Sequence, residues 1–377
     1  MNRRPLHVLF LVESLAGGGA EKVLSDLIRG LDKNRFDVTV CTVVDCGPHR
    51  DEVKRHARYR TIVGGKGLLY RLKYALVYRV LPARWIYRSW IAGDYDVEVA
   101  FTEGFPTRLL AASPKKKAAL VAWVHVDLET RPWTQGLVFR TLEEERNAYA
   151  RFQKVVCVSG TVRKAFERRF GAHPGSVVLL NPVNREQVLA MAAMKSDVPP
   201  RRRFRFLSVG RLEKEKGFDR LLAAFGRLWR NACDAELIIL GEGPQRAALE
   251  RQADDLGISS ALQMPGYKEN PYPWMSSADL FVCSSRCEGM STVVTEALVL
   301  GIPVLAVECS GIREQLGGGT YGRIVANDTD ALFGGLEDFV SGREPIEQWR
   351  AASAQGGRCV SYREAVGKVE QLLEGTP

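Results

Sequence analysis

Residues 279–300 read DLFVCSSRCEGMSTVVTEALVL, and this stretch contains the clearest strand, loop and helix pattern of the chain. It begins with an apolar run typical of a buried strand, Asp279 to Cys283, and it ends with a helical run to Leu300, where a glycine and then a proline stop the helix. Strand, loop and helix in this order are the repeating unit of parallel α/β proteins. The loop carries Glu288, and Glu296 follows about one turn into the helix.

The two acids flank the predicted N-terminus of this helix. Free backbone N–H groups and the positive end of the helix dipole make such a position favourable for phosphate. Glu288 and Glu296 could therefore hold a sugar and a nucleotide on either side of it. Two solvated acids on a surface helix would show the same spacing, so the pair by itself leaves both interpretations open.

The rest of the chain repeats the strand-then-helix pattern in two halves, which predicts two parallel-sheet α/β domains. In the first half we predict strands over 7–12, 37–43, 97–101, 120–124, 155–158 and 177–180. In the second half we predict strands over 204–209, 236–240, 262–264, 280–283 and 304–307.

The domain boundaries follow from composition. We place the first domain at 1–185, a Pro- and Arg-rich linker at 186–203, and the second domain at 204–360. The segment 361–377 has a helical pattern, and we expect that it can return to the first domain. Ligands of open parallel sheets bind beyond the carboxyl ends of the strands, so the loops there are the candidate sites.

Several of these loops carry glycines or bases. Gly18 and Gly19 follow the first strand and open a helix, which would let a ligand approach the backbone, although tight turns also use glycine. Arg211 and Lys216 follow strand 204–209 and could grip phosphate oxygens, or pair with neighbouring acids. Further candidates follow the next two strands: Gly241 and Gly266. Neither a dinucleotide fingerprint nor a P-loop motif is present.

The net charge of +9 comes from one region. Residues 53–93 contain ten Lys or Arg and no Asp or Glu, together with apolar residues at helical spacing and several aromatic residues. This combination favours contact with anionic lipid. Ordinary core packing with solvated bases is the alternative, and nucleic acid ranks last because no binding motif accompanies the bases.

Other features bound the class of protein. No apolar run of about eighteen residues occurs, so the sequence predicts no ordinary membrane span. The eight cysteines are scattered without zinc-type pairing, which favours reduced thiols and a cytoplasmic location. Asp94-Tyr95-Asp96 has the Asp-x-Asp pattern of some metal sites, but it lies at the start of a predicted strand, and we expect no metal there.

Taken together and in order, the loop motifs resemble those of retaining glycosyltransferases of family 4, also called glycosyl transferases group 1, which have the GT-B fold. The motifs are Gly18-Gly19-Ala20-Glu21, Gly210-Arg211, Lys216-Gly217, Gly241-Glu242-Gly243, and Glu288 with seven residues to Glu296. The resemblance covers nearly the whole chain and is weak over about 45–93. It implies two Rossmann-like domains that face each other across a cleft.

The resemblance also implies roles. Arg211 and Lys216 would hold the donor diphosphate, Glu288 the sugar hydroxyls and Glu296 the ribose. His125, after strand 120–124, matches the family's active-site histidine and would position the donor sugar rather than act as an obligatory base. Further donor contacts are implied for Gly18, Gly19, Gly241 and Gly266, and for the backbone at Gly289, Met290, Ser291 and Thr292.

The expected function is transfer of a hexose or N-acetylhexosamine from a nucleotide diphosphate sugar, with UDP the preferred nucleotide, retention of configuration, and no metal or other cofactor. We expect a lipid-linked saccharide acceptor in cell-surface polysaccharide assembly, reached from the cytoplasmic face of the membrane through 53–93. A soluble acceptor and a non-catalytic nucleotide-sugar-binding subunit are the alternatives. We expect no nucleic-acid partner.

Overall fold

The computed structural model describes residues 4–16, 18–65, 67–114, 118–231 and 233–376. The chain forms two compact units, Met1–Pro182 with Arg363–Pro377, and Val183–Tyr362. Each unit is built on one parallel sheet, so the prediction of two parallel-sheet α/β domains is confirmed.

The first unit contains a seven-stranded sheet in the order β3-β2-β1-β4-β5-β6-β7. Its central strands are apolar on both faces, as expected for a parallel sheet covered by helices on both sides. The strands are β1 (Leu6–Val12), β2 (Phe36–Val44), β3 (Arg58–Val63), β4 (Val97–Ala100), β5 (Ala119–Val124), β6 (Lys154–Cys157) and β7 (Ser176–Val178).

Seven helices follow these strands in the first unit. They are α1 (Gly19–Gly30), α2 (Arg50–His56), α3 (Gly67–Ala75), α4 (Ala83–Ile86), α5 (Phe105–Leu110), α6 (Leu142–Tyr149) and α7 (Gly160–Phe170). Two π-helical turns, Leu76–Val80 and Tyr87–Ile91, follow α3 and α4. Side chains cap two of the helices, because Thr141 and Ser159 accept hydrogen bonds from backbone N–H groups three residues on.

The second unit contains a six-stranded sheet in the order β10-β9-β8-β11-β12-β13. The strands are β8 (Phe204–Val209), β9 (Ala235–Leu240), β10 (Leu262–Gly266), β11 (Leu280–Cys283), β12 (Val304–Val307) and β13 (Arg323–Val325). The helices are α8 (Arg185–Ala192), α9 (Phe218–Arg230), α10 (Arg246–Asp255), α11 (Tyr272–Ser276), α12 (Thr292–Val299), α13 (Ile312–Gln315), α14 (Thr329–Val340) and α15 (Ile346–Arg358). The 3₁₀ turns are Lys214–Lys216 and Gly317–Gly319.

The core of the second unit consists of two hydrophobic clusters of buried residues. Helix α9 shows why its sequence folds this way, since its buried residues recur at helical spacing and form one apolar face: Phe218, Leu221, Leu222, Phe225 and Leu228. This packing fixes the start of α9, and therefore the loop that precedes it.

A final helix, α16 (Tyr362–Glu374), belongs almost entirely to the first unit. Its Glu370 accepts hydrogen bonds from the Asp32 backbone N–H at 2.9 Å and from Arg35 at 2.6 Å. Val369 and Leu373 on the same helix are fully buried. Apolar burial and this partly buried ion pair together hold the C-terminal helix in place.

Part of the predicted linker is a helix. The Asn184 side chain accepts a hydrogen bond from the Gln187 N–H at 3.0 Å and caps α8, and Val188 is buried in the second core. The prediction of a linker over 186–203 is wrong for this helix, because a capping Asn and an apolar anchor outweigh the polar, Pro-rich stretch that follows.

All eleven predicted strands are present, with ends that differ by up to two residues, and two strands were missed. Strand β3 lies at a sheet edge and carries two exposed arginines, Arg58 and Arg60, so its sequence resembles a basic surface. The predicted membrane-contact region, 53–93, therefore includes an edge strand over 58–63. Strand β13 has only three residues and lies at the other sheet's edge.

Each sheet has a point at which the strand order reverses, between β1 and β4 in the first unit and between β8 and β11 in the second. Loops at such a point diverge toward opposite faces and leave a crevice, in which ligands of open α/β sheets bind. The loops after these four strands are the places where a site is expected.

Candidate functional site

The loops after β8 and β11 meet through an ion pair. Nζ of Lys216 lies 2.6 Å from Oε1 of Glu288, and the Ser285 hydroxyl donates to the same carboxylate oxygen at 2.6 Å. Both side chains of the pair are largely buried, with 24% and 11% exposed. Two predicted site residues that are 72 positions apart are thus brought together at the crevice of the second sheet.

The charge of Lys216 is retained despite burial. Burial alone would lower the pKa of Lys216, but the negative charge of Glu288 and its hydrogen bond more than offset this, and the pKa is raised. The site therefore presents a fixed cation beside a carboxylate at neutral pH.

A second contact between the two loops was not predicted. Arg286 makes two hydrogen bonds of 2.7 Å to the carboxylate of Asp219, at the start of α9, and a third of 2.7 Å to the Lys214 carbonyl. The backbone N–H of Arg286 also donates to the Glu215 carbonyl at 2.7 Å. This arginine clamp fixes the turn that carries Lys216 against the loop that carries Glu288.

Gly217 makes the close approach of the loops feasible. Its φ of 64° is left-handed, and a Cβ at this position would lie 2.1 Å from the Ser284 carbonyl oxygen. The Ser284 hydroxyl in turn donates to the Lys216 carbonyl at 2.8 Å. A side chain here would force the two loops apart.

Arg211 lies after β8 but does not join the Lys216–Glu288 pair. Its side chain is 55% exposed and forms an ion pair with Glu213 at 3.0 Å. Gly241 and Gly266 lie at the ends of the next two strands, where the Gly241 N–H donates to the Gly266 carbonyl at 2.9 Å. A Cβ on Gly241 would lie 1.9 Å from the Gly210 carbonyl oxygen, so this glycine serves close backbone packing.

Glu296 lies one turn into α12, at the position that the sequence predicted. It is only 2% exposed, and the Tyr272 hydroxyl donates to its Oε1 at 3.1 Å. Tyr272 is also buried in the hydrophobic core of the second unit, so its hydroxyl orients the carboxylate from the core side.

At the N-terminus of α12, the backbone of Ser291 is hydrogen-bonded to a side chain within the fold. Its N–H donates to Oε1 of Gln315 at 3.0 Å, and Nε2 of Gln315 donates back to the Ser291 carbonyl at 2.8 Å. No local sequence pattern indicates this contact, because Gln315 lies 24 residues away. Of the other predicted backbone contacts, Gly289 and Met290 precede the helix and Thr292 is its first residue.

In the first unit, His125 lies directly after β5. Its Nε2 lies 2.8 Å from the Phe101 carbonyl oxygen, which can only accept, so Nε2 carries the proton. Burial lowers the pKa of His125 to about 4, which keeps the ring neutral at neutral pH and leaves Nδ1 as an acceptor. Such a ring can accept a hydrogen bond from a hydroxyl but is a weak base.

Glu103 supports the histidine and was also missed. Its Oε2 accepts a hydrogen bond from the His125 backbone N–H at 3.0 Å, and the residue is 7% exposed. Burial raises the pKa of Glu103. A lone acid after a strand is too common a pattern to have been singled out.

Gly18 and Gly19 lie at the start of α1, with Gly18 as its N-cap. Asp96 is held by Arg4, which donates two hydrogen bonds of 2.8 Å, and by the His7 N–H, so its carboxylate is occupied within the fold. Within the described ranges, no group of three or more His, Cys, Asp or Glu is arranged to hold a metal ion. No described helix has the length and hydrophobicity of a membrane span.

Two family models match the chain, one in each half. The model of Glycosyltransferase Family 4 matches residues 17–187, and that of Glycosyl transferases group 1 matches residues 192–355. The predicted resemblance is therefore confirmed over most of the chain.

Among curated relatives, an N-acetylgalactosamine-N,N'-diacetylbacillosaminyl-diphospho-undecaprenol 4-alpha-N-acetylgalactosaminyltransferase of Campylobacter jejuni is 32% identical over 43% of this chain and 44% of its own. A GDP-mannose-dependent alpha-(1-6)-phosphatidylinositol monomannoside mannosyltransferase of Mycolicibacterium smegmatis is 28% identical over 67% and 69%. The matches to the first three curated relatives span 28%, 44% and 47% of those proteins.

Among solved structures, Anabaena Alr3699/HepE in complex with UDP and glucose is similar over 98% of both chains, with a TM-score of 0.75 and 21% identity. This likeness confirms the predicted GT-B type of fold, with two Rossmann-like parallel-sheet domains.

Proposed function

The chain belongs to glycosyltransferase family 4, and on this premise we propose that it transfers a hexose or N-acetylhexosamine, with retention of configuration, from a UDP-linked sugar to a glycan. The observation that best supports this proposal is the Lys216–Glu288 pair at the crevice between β8 and β11. A fixed cation beside a carboxylate suits a ligand that joins a diphosphate to a hydroxyl-rich sugar.

The proposed chemistry follows from charge. Cleavage of the sugar–phosphate bond leaves negative charge on the diphosphate, and Lys216 stabilises it without having to be recruited or charged during the reaction. Arg211 is exposed on the adjoining loop and can swing from Glu213 to the phosphate. Glu288 accepts hydrogen bonds from sugar hydroxyls, and Glu296, held by Tyr272, accepts them from the ribose.

In the first unit, Nδ1 of His125 accepts a hydrogen bond from a donor-sugar hydroxyl in this proposal. The low pKa of His125 makes it a positioning group and not the base that deprotonates the acceptor. The departing phosphate oxygen takes that proton, on the same face of the sugar that the acceptor attacks. No metal is required for these steps, because Lys216 supplies the positive charge.

UDP is the proposed nucleotide because HepE, the similar structure, was solved with UDP, with UDP and glucose, and with UDP-glucose. A thermal-shift panel of UDP-sugars and GDP-mannose tests this choice. A ligand that binds only the folded state raises its stability by about 2.7 kcal/mol at one hundred times its Kd, so a UDP-sugar should raise the melting temperature most.

The panel has matched controls. Lys216→Ala should abolish most of the shift, whereas Lys214→Ala, on the same 3₁₀ turn, should retain it. Equal shifts in the two variants would contradict the assignment of Lys216, and a larger shift with GDP-mannose would overturn the choice of UDP.

The proposed acceptor is a lipid-linked saccharide, reached by peripheral contact with the cytoplasmic face of the membrane. Residues 67–91, which we call the amphipathic segment, expose large apolar side chains, including Leu69 at 82%, Leu68 at 72% and Val80 at 68%. This exposure counts against ordinary core packing of the apolar stripe and supports a contact surface. Contiguous exposed apolar surface of this kind is typical of an interaction site.

The charge of the segment points to an anionic partner. Its four exposed arginines form no ion pair with any carboxylate that the structure describes: Arg71, Arg79, Arg84 and Arg88. Unpaired bases around exposed leucines match the surface of an anionic bilayer. The names of several relatives refer to polysaccharide or glycolipid substrates, which is consistent with this acceptor class.

Co-sedimentation with vesicles of phosphatidylethanolamine and phosphatidylglycerol tests the membrane contact. Wild-type protein should sediment with the vesicles, and Leu69→Asp should weaken this about tenfold or more, because it removes apolar burial and repels the anionic surface. Leu137→Asp is the matched control, since Leu137 is equally exposed, at 81%, outside the segment. Wild-type protein that stays in the supernatant at every salt concentration would instead favour a soluble acceptor.

A further inference from the structure

Glu13 is a partly buried carboxyl group that the proposed chemistry does not use. It follows β1 directly, at the crevice of the first sheet, where the Phe101 N–H after β4 donates to the Leu11 carbonyl at 2.9 Å. Burial, with the nearby charge of Glu21, raises the pKa of Glu13 to about 7. Buried carboxylates normally pair with a cation, yet none pairs with Glu13 among the residues that the structure describes.

One oxygen of Glu13 is held by the amphipathic segment. The Tyr78 hydroxyl donates a hydrogen bond to Oε1 of Glu13. Tyr78 belongs to the π-helical turn Leu76–Val80, so a single turn directs Tyr78 inward to the end of β1 and Val80 outward to solvent. π-Helical turns inside helices are rare and occur frequently at functional sites.

The ring of Tyr78 is fixed by stacking on both sides. Its centroid lies 4.3 Å from that of Tyr74 and 4.4 Å from that of Phe105, the first residue of α5. Tyr70 continues the same row, 6.2 Å beyond Tyr74. A row of aromatic rings therefore leads from the exposed surface of the segment to the carboxyl edge of the first sheet.

The other oxygen of Glu13, Oε2, has no hydrogen-bond partner among the described residues. It is not fully buried, since it does not belong to the buried polar atoms without a partner. It is therefore open to a ligand. A carboxylate oxygen accepts hydrogen bonds from hydroxyl groups, and a neighbouring phenol oxygen can accept a second one. A rigid carboxyl–phenol pair of this kind fits a saccharide hydroxyl.

We propose that Glu13 and Tyr78 bind a hydroxyl group of the acceptor's saccharide, at the point where the amphipathic segment reaches the crevice between β1 and β4. This inference rests on the proposed transfer function. It assigns the pair to the acceptor because Tyr78 belongs to the same turn that presents Val80 to the lipid surface. A saccharide attached to a membrane lipid would emerge beside this turn.

The test measures sugar transfer from UDP-linked donors to a polyprenyl-diphosphate-linked N-acetylglucosamine in vesicles of phosphatidylethanolamine and phosphatidylglycerol. Tyr78→Phe keeps the stacked ring and removes only the hydroxyl, and Glu13→Gln keeps the shape and removes the charge. Each should raise the KM for the lipid-linked acceptor about tenfold, the effect of one hydrogen bond to a charged group. The KM for the donor and the sedimentation with vesicles should not change.

Tyr95→Phe is the matched control, because it removes a phenol hydroxyl that accepts a hydrogen bond from Arg60, outside the amphipathic segment and without contact to Glu13 in the described structure. It should leave the acceptor KM unchanged. An unchanged acceptor KM in both Tyr78→Phe and Glu13→Gln would overturn the inference, and so would an equal loss of donor affinity. Failure of wild-type protein to bind or turn over any nucleotide sugar would instead refute the proposed function itself.

Discussion

At the scale of single residues, the two acids of residues 279–300 have different environments. Glu288 is held by Lys216 and Ser285 at the crevice, whereas Glu296 is buried and is oriented by Tyr272. The seven residues between the two acids therefore separate two positions with different hydrogen-bond partners. Their proposed roles, sugar for Glu288 and nucleotide for Glu296, can be separated in the same way.

Replacing each acid by Gln should separate these roles. Glu296→Gln should weaken the binding of UDP about tenfold, because a charged hydrogen-bond acceptor for the ribose is lost. Glu288→Gln should leave UDP affinity nearly unchanged and lower kcat by about ten- to one-hundredfold, since its partner is the sugar. Calorimetric titration with UDP and steady-state kinetics measure the two effects, and the opposite pattern would reverse the assignment.

Glu13 should make stability depend on pH. Its pKa is about 7 in the folded protein and 4.5 when unperturbed, so between these values the unfolded state releases a proton that the folded state keeps. Stability therefore falls as pH rises from about 4.5 to about 7, and the cost is complete above that range. It arises from burial of a carboxyl group without a cation.

Glu13→Gln removes this cost. The variant should exceed the wild type in free energy of unfolding by up to about 3 kcal/mol at pH 8, and the difference should vanish near pH 4. Urea unfolding at the two pH values measures it. A difference that is the same at both values would mean that Glu13 does not titrate as described.

At the scale of structural elements, the site depends on how two loops are fastened. The arginine clamp joins the loop after β11 to the start of α9 and to the Lys214–Lys216 turn. Its ion pair is partly exposed, with 38% and 49% of the two side chains accessible, so its contribution to global stability is small, up to about 1 kcal/mol. Its effect should appear in the geometry of Lys216 and Glu288.

Arg286→Ala should therefore lower kcat/KM for the donor about tenfold while the free energy of unfolding falls by less than about 1 kcal/mol. Arg343→Ala is the matched control, because Arg343 is exposed and also contacts two carboxylates, Asp338 and Glu337. The control should leave the kinetics unchanged. A loss of stability in Arg286→Ala that accounts for the whole kinetic effect would contradict a positioning role.

The elements also show what sequence could predict. Strands such as β11 and β12 are continuous apolar runs, so their place and the loops after them could be predicted from the apolar pattern alone. Strand β3 could not, because Arg58 and Arg60 on an edge strand resemble a basic surface. The contact of Gln315 with Ser291 depends on tertiary packing, which local sequence patterns do not indicate.

At the scale of the whole molecule, the residues of the proposed site belong to two units. The second unit holds Lys216, Glu288 and Glu296, and the first holds His125, Glu103 and the Glu13–Tyr78 pair. The amphipathic segment belongs to the first unit as well, so the proposed lipid contact and the proposed acceptor contact share one sheet and its loops. The proposed donor site can then be tested without knowledge of the acceptor.

The most direct test of the central claim is the release of UDP from UDP-glucose, UDP-galactose and their N-acetyl forms, measured for wild-type protein, Lys216→Ala and Lys214→Ala. We predict that at least one donor is turned over by the wild type and by Lys214→Ala, and that Lys216→Ala is slower by about one hundredfold or more. Equal rates in Lys216→Ala and the wild type would contradict the proposed role of Lys216 in donor cleavage. So would wild-type protein that binds these donors and turns over none of them, which would indicate a nucleotide-sugar-binding subunit.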